Sequence, residues 1–143
     1  MNLYNLQTRN FDQYMYDNDD FLIVIAAGNS GHGDATNTVR SPATGKNIIA
    51  VGVHHNTGTS TPSRGLGPSY IDNFSSRGPT SDRKTKTDLM ALGKAVLSVG
   101  VLPDQVGKCD PSKRPDANSK KDGVMLIRGI SMAMPVVSWT VAI

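Results

Sequence analysis

Short apolar runs, separated by polar and glycine-rich stretches, set the pattern of this chain. Residues 21–27 (FLIVIAA) and 48–53 (IIAVGV) are continuous, rich in β-branched side chains and too short for a typical helix. Such runs indicate strands buried on both faces, as in a parallel sheet. Residues 96–101 and 124–127 are further strand candidates. The segments between them, rich in Gly, Ser and Pro, are predicted to be loops: 30–45, 57–69 and 75–81.

The segment before the first strand has the periodicity of a helix over residues 8–16. Phe11 is followed by apolar side chains at i+3 and i+4, so one helix face is apolar. Thr8 or Asn10 is a candidate N-cap.

Residues 131–143 are apolar nearly all round, which predicts a buried helix. Pro135 would fall in its first turn, where proline is tolerated. No C-cap signal follows, so we expect one partial domain over residues 1–143, truncated at both ends. Strands mixed with helices indicate an α/β fold.

Composition narrows the function only slightly. The 143 residues include 15 basic and 12 acidic side chains, for a net charge of +3. That balance is too mild to indicate nucleic-acid binding, and the basic run at 108–121 also carries carboxylates, which favours a solvated loop. No apolar stretch reaches the ~20 residues of a membrane span, and the first twenty residues resemble no signal peptide.

The single cysteine, Cys109, excludes a disulfide within the chain. It lies in the polar run, where an exposed free thiol is the simpler interpretation. A disulfide to a segment outside this sequence is the alternative, and the sequence does not choose between them.

Several separated segments resemble one family, the subtilisin-like serine proteases or subtilases (peptidase family S8). They are residues 25–31 (IAAGNSG), 41–53 (SPATGKNIIAVGV), 74–79 (FSSRGP), 86–93 (KTDLMALG) and 129–135 (GISMAMP). Their common order and spacing carry the resemblance, because each motif alone occurs by chance. The resemblance implies a partial subtilisin-like three-layer fold with a mainly parallel sheet that lacks its N-terminal strands.

The resemblance also implies roles for individual residues. Ser131 matches the family nucleophile, and Asn29 matches the side-chain donor of the oxyanion hole. Ala26, Ala27 and Gly28 match the wall of the primary specificity pocket. Without the family resemblance, Ser131 could be a helix N-cap and Asn29 a turn residue. Ala26, Ala27 and Gly28 could then serve only to pack the fold.

A serine hydroxyl needs an adjacent base to become a good nucleophile. In subtilisin-type enzymes the order along the chain is Asp, His, Ser, so the acid and base should precede residue 21, where no histidine occurs. The three histidines, His32, His54 and His55, match no family histidine motif and are expected in exposed loops.

The helix around the nucleophile departs from the family pattern at four positions. Ile130 stands where threonine is usual, Met134 and Val136 where threonine and histidine are usual, and Trp139 where glycine is usual. Three hypotheses follow: part of a serine endopeptidase, a non-catalytic relative that binds or supports, and a partial product that does not fold alone.

The remaining expectations come from the family. Its substrates are peptides or proteins, and its chemistry needs no cofactor. Many members bind structural calcium, but the scattered Asp34, Asp72 and Asp110 form no recognisable ligand set, so no metal residue is assigned. The family implies secretion, and the chain would need the N-terminal half of the domain as its partner.

Overall fold

The computed structural model describes residues 2–56, 66–99 and 124–143. Cys109 and the basic run at 108–121 lie outside these ranges. The helices are α1 (Leu6–Asp17) and α2 (Ile130–Val141), and a short 3₁₀ turn spans His32–Asp34. The strands are β1 (Val24–Ala26), β2 (Ile49–His54), β3 (Leu89–Leu92), β4 (Val96–Val99) and β5 (Val124–Ile127). No helix in the described ranges is long and apolar enough to cross a membrane.

A parallel sheet of order β1-β2-β3 forms the centre of the fold. Val24 pairs with Ile49, and Val51 pairs with Leu89. β4 and β5 form a separate antiparallel pair, with Val96 opposite Ile127. The predicted α/β class and parallel pairing are confirmed, as is the partial subtilisin-like fold.

Strand β3 was not predicted. Its four residues, LMAL, contain no β-branched side chain, and only Ala91 is buried. Strand propensity is therefore weak, and the pairing with β2 decides the conformation.

Helix α2 packs across all three parallel strands. Ile130, Ala133 and Val137 enter the core beside Val51 and Val53. The prediction of burial all round is wrong for the other face, where Trp139 is 69% exposed. The apolar pattern predicts that these side chains would be stable in a core. It does not show whether the described chain has other elements that pack against the second face of α2.

The helix begins at Ile130, so Pro135 is its sixth residue and lies beyond the predicted first turn. Proline has no N–H, so the Ser131 carbonyl lacks the i+4 backbone donor that a regular helix provides.

Strand β1 is shorter and less buried than predicted. The paired residues are 24–26, all half-buried, while Phe21 and Leu22 before them are 49% and 46% exposed. β1 is an edge strand of the described sheet, which leaves these side chains without a neighbouring strand.

Helix α1 begins earlier than predicted. Asn5, and not Thr8 or Asn10, is the N-cap, with its side chain accepting the Thr8 N–H at 3.0 Å. The buried face is polar: the Asp12 carboxylate accepts the N–H groups of Lys46 and Asn47 at 2.8 and 2.9 Å. Backbone donors in the 41–47 loop thus fix α1, a type of contact that apolar periodicity does not reveal.

A buried ammonium joins β2 to the segment before β3. Lys86 is 6% exposed, and its Nζ donates to the Ile48 carbonyl at 2.7 Å and to Asp88 Oδ2 at 2.6 Å. Asp88 Oδ2 also accepts the Ala50 N–H at 2.7 Å. The charge is buried with a paired carboxylate, as burial of an ion requires.

Candidate active site

Asn29 lies in a sharply turned loop directly after β1. The Ala27 N–H continues the strand pairing to the Val51 carbonyl at 2.9 Å. Gly28 then has a φ of +117°, and a Cβ there would lie 2.8 Å from Ser76 Oγ. Both the backbone conformation and the space require glycine, so Gly28 sets the direction in which Asn29 leaves the strand.

The segment around Ser76 holds this loop from both sides of Asn29. The Ser76 N–H donates to the Gly28 carbonyl at 2.8 Å, and the Ser30 N–H donates to Ser76 Oγ at 3.1 Å. The Gly31 N–H donates to the Phe74 carbonyl at 2.9 Å. We call these contacts the Ser76 clamp. The sequence predicted residues 75–81 only as a loop, so their contacts with the Asn29 loop were not anticipated.

The other half of the site is the start of α2. Gly129 has a φ of +151°, which only glycine adopts readily, and its N–H donates to the Gly93 carbonyl at 2.8 Å. Ser131 follows in the first helical turn and is exposed. Its hydroxyl has no hydrogen-bond partner among the described residues.

A hydrogen bond across the two halves brings Asn29 to the start of α2. Asn29 Oδ1 accepts the Ile130 N–H at 3.1 Å. With Oδ1 assigned by this bond, Nδ2 is the amide atom left to donate a hydrogen bond. Asn29 is therefore beside the residue that precedes Ser131, although the two predicted site residues lie near opposite ends of the sequence.

The three small residues before Asn29 differ in burial. Ala27 is fully buried and packs in the core, while Ala26 and Gly28 are half-buried. Ala26 and Gly28 are therefore the members of the triplet that keep some exposed surface.

The histidines occupy different environments, and the expectation of exposed loops is right only for His32. His54 is half-buried, with Nδ1 2.8 Å from the His55 carbonyl. His55 is buried, and its Nδ1 accepts the Leu66 N–H at 3.2 Å. Its Nε2 faces Asp72 at 3.1 Å. Among the described residues, no histidine is hydrogen-bonded to Ser131.

Asp72, predicted as a scattered aspartate, is a buried ionic centre. Its Oδ2 lies 2.8 Å from Lys94 Nζ and 3.1 Å from His55 Nε2, and its Oδ1 accepts the Phe74 N–H at 3.3 Å. Burial alone would raise the pKa of this carboxyl, but the hydrogen bonds from Lys94 and the Phe74 N–H, with the charge of Lys94 and the nearby His55 ring, together lower it. The charged form therefore anchors the segment that leads into the Ser76 clamp.

A cavity of about 330 Å³ opens beside Asn29. Its walls are formed by Asn29, His32, Asn73, Phe74, Arg128 and Gly129. No group of three or more potential metal-ligating side chains occurs among the described residues.

The sequence model described as the subtilase family, Peptidase_S8, matches residues 3–143. The chain belongs to the subtilase family.

This subtilase is 30% identical over 115 residues to the serine protease AprX of Bacillus subtilis (strain 168), a match that covers 80% of the present chain and 24% of AprX. Among solved structures it is similar to the prenylagaramide maturation protease PagA, with a TM-score of 0.54, 22% identity, and 91% and 34% of the two chains covered. The self-cleaved protease domain of PatA gives a TM-score of 0.53 at 22% identity, over 90% and 34%. The structural matches establish the fold, and the chain spans about a quarter to a third of these relatives.

The subtilase pattern is altered where the two halves of the site meet. Ile130 is 3% exposed and belongs to the core, so it contributes its backbone N–H and not a side-chain group to Asn29. Val136, farther along α2, is 46% exposed.

Proposed function

We propose that this chain forms part of a serine endopeptidase that hydrolyses peptide bonds through an acyl-enzyme on Ser131. Asn29 Nδ2 and the Ser131 backbone N–H would stabilise the oxyanion of the tetrahedral intermediate. Donors held before the reaction at the point where negative charge develops are the largest contribution in many acyl-transfer enzymes. Ala26 and Gly28 would border the pocket for the substrate side chain, with Ala27 supporting them from the core.

The contact that carries this proposal is the hydrogen bond from the Ile130 N–H to Asn29 Oδ1, 3.1 Å long. It fixes the side-chain amide against the residue before Ser131 and directs the other amide atom away from it. A helix N-terminus favours an anion through its free N–H groups and dipole, so the oxyanion would meet donors from both halves of the site.

The base and its orienting carboxylate would come from segments outside this sequence. Both nitrogens of His55 already have partners, and His54 is engaged at Nδ1. We therefore propose that the 143-residue chain alone is inactive, and that its partner is the N-terminal half of a subtilase domain. Peptide hydrolysis by this route uses no cofactor, any calcium would be structural, and export from the cell is the location proposed.

A non-catalytic binding module is the second candidate. The observation that favours it is the exposed apolar surface on α2, the helix that carries Ser131, where Val136 and Trp139 replace smaller or more polar family residues. Such an apolar surface is more stable in contact with a partner protein than exposed to solvent.

Labelling with a serine-directed fluorophosphonate, together with cleavage of an internally quenched peptide, tests the proposal. The protein is produced from the complete coding region that includes these residues. We expect Ser131→Ala to abolish labelling and to lower kcat by more than about 10³-fold. The matched control is Ser138→Ala, because Ser138 lies on the same helix with its hydroxyl bonded to the Met134 carbonyl at 3.2 Å. It should keep both signals. Absence of labelling in a folded, unsubstituted protein would favour the binding module.

A further inference from the structure

The cavity beside Asn29, which we call the Arg128 cavity, has a chemical character of its own. Arg128 is exposed, and within the described ranges its guanidinium makes no ion pair or hydrogen bond. Among the residues that the structure describes, none that lines the cavity carries a carboxylate. Arginine side chains are cations in proteins, so the described lining of the cavity has a positive group and no acidic counter-ion.

The other walls suit a side chain that is apolar near its base and anionic at its tip. Phe74 is buried and provides an apolar surface, and Asn73 is exposed with an amide able to donate. His32 adds a further ring nitrogen at the rim. Guanidinium groups bind carboxylates through paired, charge-assisted hydrogen bonds.

The position of the cavity relates it to one side of the scissile bond. Ala26 and Gly28, proposed for the acyl side, lie before Asn29 in the chain and do not line the Arg128 cavity. His32 lines it, in the segment by which the chain leaves Asn29. The cavity therefore adjoins the oxyanion donor without including the proposed acyl-side wall.

We infer that the Arg128 cavity receives an acidic side chain, Asp or Glu, of the substrate residue immediately after the scissile bond. This inference rests on the proposed endopeptidase function, which it makes more specific. Arg128 determines specificity and takes no part in bond breaking.

Competing substrates provide the first test. Internally quenched peptides that differ only in Glu, Gln or Lys after the cleaved bond are offered to the protein from the complete coding region. We expect kcat/KM for the Glu peptide to exceed that for the Lys peptide by roughly 10-fold at low salt, since attraction and repulsion at a partly exposed site each contribute a few-fold. Arg128→Glu should reverse the order, and salt near 0.5 M should reduce the ratio.

The charge-matched control is Arg9→Glu, which changes net charge equally on α1, outside the cavity lining, and should keep the Glu preference. A second measurement uses the Ser131→Ala protein and the fluorescence anisotropy of the same peptides, so binding is read without catalysis. If the protein binds the Glu peptide more tightly than the Lys peptide but the unsubstituted protein hydrolyses neither, the cavity inference is supported and the proposed function is overturned. Hydrolysis or binding with equal Glu and Lys values, or a preference that Arg128→Glu leaves intact, would overturn the cavity inference.

Discussion

At the scale of single residues, Asn29 has two separable tasks. Its Oδ1 accepts the Ile130 N–H, and its Nδ2 is the proposed oxyanion donor. Asn29→Asp keeps an acceptor and removes the donor, whereas Asn29→Ala removes both. The two variants therefore separate catalysis from the cohesion of the site.

In the complete protein we expect both variants to lower kcat by about 10²–10³-fold with little change in KM. That is the magnitude known for the oxyanion asparagine of subtilisin itself, a member of this family. Only Asn29→Ala should also destabilise the fold, by about 1 kcal/mol, because the helix N-terminus loses its acceptor. Steady-state kinetics and urea unfolding measure the two effects, and equal stability losses for both variants would contradict the division of tasks.

Through the spacing of the matched motifs, the sequence could nominate candidate site residues, and their roles stay predictions. The partners of buried charges were not predictable. Lys86 looks like one more surface lysine in the sequence, yet its ammonium is buried against the Ile48 carbonyl and Asp88. Likewise, Asp72 and Lys94 are 22 positions apart and carry no periodic signal. Such pairs depend on how loops cross, which local patterns do not encode.

At the scale of elements, the site depends on two loops and the start of one helix more than on the strands that support them. The Asn29 loop and the start of α2 meet directly, and the Ser76 clamp holds the former. The clamp uses one buried hydroxyl, since Ser76 is 1% exposed and its Oγ accepts the Ser30 N–H at 3.1 Å. Removing that acceptor should loosen the residue next to Asn29.

We expect Ser76→Ala to lower kcat roughly 10- to 100-fold, because small displacements of a positioned donor have effects of this size, and to destabilise by about 1–3 kcal/mol. Ser75→Ala is the matched control: Ser75 is equally buried, but its hydroxyl accepts the Val53 N–H at 3.0 Å, on β2. It should lose similar stability with a much smaller effect on kcat. The same fall in kcat for both would show that the clamp has no special role.

Elements with a strong pattern were predicted well, and those fixed by neighbours were not. β2 and β5 lie within a residue of their predicted limits. β3 has neither alternation nor β-branched residues, and α1 buries Thr8 and Asp12 and not its apolar stripe. In both cases long-range backbone hydrogen bonds outweigh local propensity, for example from the Lys46 N–H to Asp12.

At the scale of the whole molecule, the exposed apolar surface is the main feature. The exposed face of α2 includes Val136 and Trp139, and on the β4–β5 pair Leu97 is 60% exposed. β1 is an edge strand of the described sheet, preceded by exposed Phe21 and Leu22. Large exposed apolar patches mark contact sites, and unpaired strand edges favour association.

The chain covers about a quarter of AprX and a third of PagA, which is consistent with these surfaces being covered by further parts of a subtilase domain. We therefore expect the purified 143-residue chain to unfold without a sharp cooperative transition, to bind a hydrophobic dye such as ANS strongly, and to hydrolyse no peptide.

Trp139→Lys in the isolated chain should reduce dye binding and aggregation, because it places a charge on the uncovered face. The same substitution in the complete protein should destabilise by about 3 kcal/mol or more if a neighbouring segment covers Trp139. Cooperative unfolding of the isolated chain, with hydrolysis that Ser131→Ala abolishes, would show that these residues suffice as an enzyme.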